Sequence, residues 1–82
     1  MNKLKDVMSN RNLTVESKAI FAYLLLLSND DNYIKLDNST IVRDLDISKN
    51  KFFNHREFLI KYNYIKIIKK IEKDNYVVYE II

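Results

Sequence analysis

The chain has 82 residues, 48% of them apolar and 30% charged, with no glycine, proline or cysteine and a formal net charge of +3. That length allows one small domain with a modest core, the apolar share suffices for folding, and the lack of cysteine excludes a disulfide framework and a thiolate metal site. No signal-peptide pattern is present, and the longest apolar run, residues 19–27, is too short to span a bilayer, so a cytoplasmic protein without a membrane partner is expected.

Residues 1–12 are polar, with Leu4, Val7 and Met8 spaced as a single apolar stripe. They read as an N-terminal arm or short helix preceding a domain over residues 13–82. Leu13 and Thr14 open the first long helix: Thr14 is the N-cap, Glu16 sits in the first turn where the helix dipole favours a negative charge, and Leu13 is placed to staple across the start. The pattern runs to about Ser28. From Ala19 onward Ile20, Phe21, Tyr23, Leu24 and the following leucines cover every face, and a helix apolar all round must be covered on more than one side. Two covers are open. One is a second copy of the chain packed on Ile20, Phe21, Leu24 and Leu27, giving a homodimer; the other is the N-terminal segment together with the C-terminal strand.

Tyr33-Ile34-Lys35 suits a short strand, after which Asp37 or Asn38 caps a second helix with Ile41, Val42 and Leu45 turned inward at helical spacing. Asp46-Ile47-Ser48 forms a turn. Ser48 caps a third helix over residues 49–62, and Asn63 stands where a left-handed residue ends it. This is the pattern of a helix-turn-helix. The third helix places Phe52, Leu59 and Tyr62 on one face, with His55 at its margin and Phe53 and Ile60 as a lateral packing stripe. Its opposite face carries Asn50, Asn54, Glu57 and Lys61. Asparagine can read adenine in a bidentate manner.

Residues 65–71 and 76–82 are β-rich, and Asp74-Asn75 suits a two-residue hairpin turn. That turn predicts Lys73 opposite Tyr76, Ile71 opposite Val78, Lys69 opposite Glu80 and Ile67 opposite Ile82, with Lys66 and Lys70 sharing a face and Tyr79 beside Lys70. The terminal strand would then leave an apolar edge, to be covered by a partner chain or by the first helix.

Charge is distributed unevenly. Residues 1–46 hold six basic and seven acidic side chains, residues 47–82 eight basic and four acidic. Clustered lysine on a helix-turn-helix and its following hairpin points to nucleic acid, with a solvated lysine-rich surface as the plain alternative. Catalysis is not expected. His55 is the single histidine and reads as a packed or solvated side chain, Asp30, Asp31, Asp37, Asp44 and Asp46 read as caps and turns, and a glycine-rich phosphate loop is impossible without glycine. Neither a cofactor nor a metal is implied.

The order of helix, short strand, two helices of a helix-turn-helix and a hairpin resembles a winged helix-turn-helix domain. More narrowly, Leu13-Thr14-Val15-Glu16-Ser17-Lys18-Ala19-Ile20-Phe21-Ala22-Tyr23-Leu24 resembles the opening helix of winged-helix modules in phage and plasmid replication proteins of low-GC Gram-positive bacteria. The pattern continues through Asp44-Leu45-Asp46-Ile47-Ser48 to Tyr62-Asn63-Tyr64-Ile65 and covers roughly residues 4–82. Asp46 and Asn63 replace the family's usual glycines, and Arg56 falls where the family more often has an apolar core residue. The further domains of replication initiators are not seen here, which makes the small winged-helix accessory proteins of plasmid conjugation a similar class.

The resemblance implies an α+β fold with three main helices and a C-terminal β-hairpin wing. In that family the third helix enters the major groove while the wing touches the backbone or minor groove. The expected DNA contacts are Ser39 and Thr40 at the start of the second helix, Lys49, Asn50, Lys51 and Asn54 on the third, and Lys66, Lys69, Lys70, Lys73, Asn75 and Tyr76 in the wing. The lysine distribution gives the wing at least as much of the affinity as the third helix, so charge reversal of Lys70 and Lys73 should weaken binding more than that of Lys49 and Lys51. The function expected is sequence-specific binding of double-stranded DNA by a dimeric plasmid or phage protein, as an origin-binding accessory factor in transfer or replication that works with other proteins of an origin complex. A transcriptional regulator, or a winged-helix protein-interaction module that does not touch DNA, are the alternatives.

Overall fold

The computed structural model describes residues 3–28, 30–71 and 76–82. Four helices and three strands follow one another as α1 (Lys3–Ser9), α2 (Val15–Leu27), β1 (Tyr33–Asp37), α3 (Asn38–Leu45), α4 (Lys49–Lys61), β2 (Ile65–Ile71) and β3 (Tyr76–Ile81), an α+β arrangement. No helix among the described residues is long and apolar enough to cross a membrane.

The helix ends are set by local chemistry. Thr14, Asp37 and Ser48 each accept a bond from a backbone N–H of the turn that follows, those of Ser17, Ser39 and Lys51, and so satisfy donors that a helix start leaves unpaired. Asp46 ends α3 at φ 53°, ψ 48°, and Asn63 follows α4 at φ 64°. Both adopt the left-handed conformation that a β-branched residue would resist, which explains how the chain turns here without glycine. The N–H of Ile47 bonds back to the Val42 carbonyl at 3.2 Å, fixing the short connection from α3 to α4.

The core lies between the helices and one face of the sheet. Ile20, Phe21 and Leu24 of α2 meet Phe52 and Leu59 of α4, Ile41 of α3, Val7 of α1, and Ile34, Leu36, Ile65, Val77, Tyr79 and Ile81 from the strands. The ring of Phe21 stands edge-on to that of Tyr64 at 6.0 Å. Burial of this kind is worth about 1.5–3 kcal/mol for each large side chain. It also bears on the residues named for a dimer contact. Ile20, Phe21 and Leu24 are 0–1% exposed inside one protomer and are not available to a second copy. Of the four residues proposed for that contact only Leu27 is exposed, beside Leu26, which is 81% exposed. Tyr62, expected on the inner face of α4, also lies at the surface.

The sheet is antiparallel with the order β1-β3-β2. The C-terminal strand is therefore central, and the edge expected to need a partner is covered by β1, whose Ile34 and Leu36 stand opposite Tyr79 and Val77. Further backbone bonds hold its end: the Ile81 N–H donates to the Asn32 carbonyl at 2.9 Å and that of Ile82 to the Tyr64 carbonyl at 3.0 Å.

The register of β2 on β3 differs from the two-residue-turn expectation. Ile65 faces Ile81, Lys66 faces Glu80 and Ile67 faces Tyr79; after an irregularity between Ile67 and Lys69 the pairs become Lys69 with Val78, Lys70 with Val77 and Ile71 with Tyr76. The cause is the tandem Ile67-Ile68. Strict alternation would drive one of them into solvent and displace every later residue to the wrong face, and a bulge absorbs the extra residue, leaving Ile68 exposed. Lys66 and Lys70 consequently fall on opposite faces of the ribbon instead of one. Lys66 forms an ion pair with Glu80 at 3.2 Å, the partner predicted for Lys69. The turn at Asp74-Asn75 and the expected pairing of Lys73 with Tyr76 fall outside the described residues.

Candidate nucleic-acid interface

Four of the expected DNA contacts, Ser39, Lys49, Lys70 and Tyr76, come together with Asn38 around one groove. Asn38 and Ser39 at the start of α3, Lys49 at the start of α4, and Lys70 and Tyr76 at one end of the β2–β3 ribbon line a cavity of about 440 Å³. The remaining candidates of α4, Asn50, Lys51 and Asn54, are exposed on its outer surface, as are Glu57 and Lys61. Thr40 is half-buried. Lys69 is exposed on the outer face of the ribbon, opposite Val78. Lys66 is farther along and already paired, so it contributes less free charge than expected. Lys73 and Asn75 lie outside the described residues.

Two anchors hold α4 in place. At one, the Thr14 hydroxyl lies 2.8 Å from His55 Nδ1, and His55 Nε2 is 3.5 Å from Glu16 Oε2, which ties the N-terminus of α2 to the middle of α4. The His55 ring also stacks on Phe58. This histidine is engaged in packing and capping. At the other, Arg56 is only 7% exposed and passes beneath α4 toward the sheet. Its Nη1 donates to the Tyr79 hydroxyl at 3.1 Å, and that hydroxyl donates to Asn38 Oδ1 at 2.7 Å. One chain of hydrogen bonds thus links α4, β3 and the start of α3. Burial pushes the Tyr79 phenol above its ordinary value near 10, against the opposing pull of Arg56 and Asn38.

The Arg56 guanidinium lies over two aromatic faces, 4.8 Å from the Phe53 centroid and 5.6 Å from that of Phe52, and the Lys49 ammonium lies 5.9 Å from Phe53 on the groove. Lys35 similarly sits 5.1 Å from the Tyr76 ring. Among the described residues, Lys51, Lys69 and Lys70 take part in no ion pair, and every charged residue lining the groove is basic: Arg43, Lys49, Arg56 and Lys70. Two exposed carboxylates approach these cations from outside the lining, Asp44 at 3.6 Å from Arg43 Nε and Glu57 at 3.7 Å from Arg56 Nη2. No cluster of three metal-binding side chains occurs among the described residues.

Sequence reasoning overlooked Arg43, and it set Arg56 at a position that is more often apolar core without foreseeing its bond to Tyr79. Arg56 does carry a signal, since a basic residue four positions after the buried Phe52 and three before the buried Leu59 falls on the core face of the helix. What arginine does there depends on the strands that meet it. The arrangement presents the exposed amides and lysines of one helix next to the free lysines of a two-stranded ribbon, a surface suited to phosphate neutralisation with polar side chains available for base edges. Comparisons of the chain with protein-family models, with curated proteins and with solved structures found no match.

Proposed function

We propose that this chain is a winged helix-turn-helix protein that binds double-stranded DNA at specific sites, with α3 and α4 as the helix-turn-helix, α4 in the major groove and the β2–β3 ribbon as the wing. The observation that carries the reading is the juxtaposition of Lys49 on α4 with Lys70 on the ribbon across one groove whose described charged residues are all basic, on a helix that also exposes Asn50 and Asn54. Such a surface combines a sequence-independent phosphate term with side chains able to discriminate bases. The protein positions DNA and catalyses no reaction. The expected biological setting is a plasmid or phage origin complex. If two copies act on a palindromic site, their contact uses exposed positions such as Leu26 and Leu27 of α2, because the inner face of that helix is occupied.

The specific part of the reading is tested at Asn50 and Asn54. Once a preferred site has been selected from a random duplex library, Asn50→Ala and Asn54→Ala should each reduce preference for that site by about 1–3 kcal/mol while leaving affinity for random duplex nearly unchanged. Equal loss on both DNAs would remove α4 as the element that reads sequence.

A further inference from the structure

The groove between α3, α4 and the ribbon has a chemistry that DNA contact does not require. Its floor is apolar, made by Val42, Phe53, Ile71 and Val77, and its volume of about 440 Å³ falls in the range of small-molecule sites, roughly 300–1,000 Å³. Arg56 lines it. A guanidinium on an arginine that is only 7% exposed is costly to hold unless a counter-charge and a full set of acceptors meet it. Here it meets a neutral phenol, two aromatic faces and a solvent-exposed carboxylate 3.7 Å away, and among the described residues its Nε has no hydrogen-bond partner. Among the described residues the cavity's charged lining is basic: Arg43, Lys49 and Lys70 beside Arg56.

We infer that this groove is a binding site for a small organic carboxylate, with its carboxyl group drawn to the basic side chains about Arg56 and its aromatic or aliphatic body on Val42, Phe53, Ile71 and Val77. The charge calls for an anion, and arginine matches a carboxylate with two parallel hydrogen bonds. The apolar floor calls for a body that a bare inorganic ion does not have. Ser39, Lys49, Lys70 and Tyr76 belong both to this groove and to the proposed DNA surface. Occupancy would therefore compete with DNA, a consequence that rests on the DNA-binding reading, whereas ligand binding does not.

The test follows amide and methyl NMR signals of the full chain during titration with phenylacetate, hexanoate, phenylacetamide and inorganic phosphate, each into the low millimolar range. Saturable shifts centred on Val42, Phe53, Ile71 and Val77 are expected with the two carboxylates, with the amide and phosphate at least about tenfold weaker. Ile71→Phe, which fills the cavity from a half-buried strand position, should abolish the shifts in a protein whose remaining spectrum shows it folded. Arg56→Lys should weaken both carboxylates at least as much as removing the charge from the ligand does. Absence of shifts with both carboxylates overturns the proposal. Equal binding of the amide overturns the role of charge, and equal binding of phosphate overturns the role of the apolar floor. In a second arm, phenylacetate is added to the protein with duplex DNA. Carboxylate binding in a protein that never binds DNA would refute the DNA reading and leave this site standing, while undiminished DNA binding at saturating carboxylate would refute the competition alone.

Discussion

Replacing Tyr79 with phenylalanine should cost about 2–3 kcal/mol of folding stability, although it removes a single oxygen from a side chain at the centre of the sheet. The phenol is the only neutral side-chain acceptor of a hydrogen bond from the buried Arg56 among the described contacts, and its own proton goes to Asn38. Without it the guanidinium keeps only the aromatic faces of Phe52 and Phe53 and the exposed Glu57, and a buried charge that loses its acceptor bears its desolvation cost uncompensated. A domain of this size has only about 4–12 kcal/mol to lose, so urea unfolding should show a clearly lowered midpoint with an unchanged slope. Tyr79→Phe combined with Arg56→Met should recover most of the loss, because an unsatisfied donor is then no longer buried. An effect of Tyr79→Phe below about 0.5 kcal/mol would show that Arg56 needs no acceptor.

The same phenol sets an alkaline limit. Its folded-state pKa is raised above the ordinary value near 10, so the native state holds this proton more tightly than the unfolded chain. The stabilisation is fully present below pH 10 and is lost as pH climbs through the folded value. Tyr79→Phe should flatten that part of the alkaline stability profile.

Reversing the charge of Lys69 and Lys70 together should lower DNA affinity on the order of a hundredfold at low salt and reduce the salt dependence by about two units of slope. Both lysines are exposed and take part in no ion pair among the described residues. Reversal of Lys49 and Lys51 should have a smaller effect, since Lys49 already spends part of its charge on the Phe53 face. Lys66→Glu should matter least, because Glu80 neutralises Lys66 before DNA arrives. The reverse ranking would make α4 the main electrostatic element and the ribbon secondary. All of these positions are on the surface, so circular dichroism should report an unchanged fold.

The helix ends were legible from residue type alone. Thr14, Asp37 and Ser48 act as caps, and Asp46 and Asn63 take left-handed backbone, because these are properties of a few consecutive atoms that sequence displays directly. The β-ribbon was legible as an element but not in register. The expected pairing set Ile71 against Val78, whereas Ile71 pairs with Tyr76, and the tandem Ile67-Ile68 forces an irregularity that a period-two reading cannot place. The all-apolar α2 invited a dimer, since composition cannot say which neighbours will cover a helix; α1, α3 and α4 of the same protomer pack against it. Of the candidate site, the sequence identified the surface lysines and asparagines. It did not foresee that the start of α3, the start of α4 and the ribbon enclose a common groove with Arg56 beneath it, because that depends on tertiary closure between residues far apart in the chain.

The most direct test of the central claim is a titration of the purified protein with random-sequence duplex DNA and with site-selected duplex at several salt concentrations. DNA binding through the α4 and ribbon lysines predicts a logarithmic affinity that falls linearly with the logarithm of salt at a slope of roughly −3 to −5, with the selected duplex bound on the order of a thousandfold more tightly than random sequence. Absence of a complex with either duplex at low salt would contradict the account.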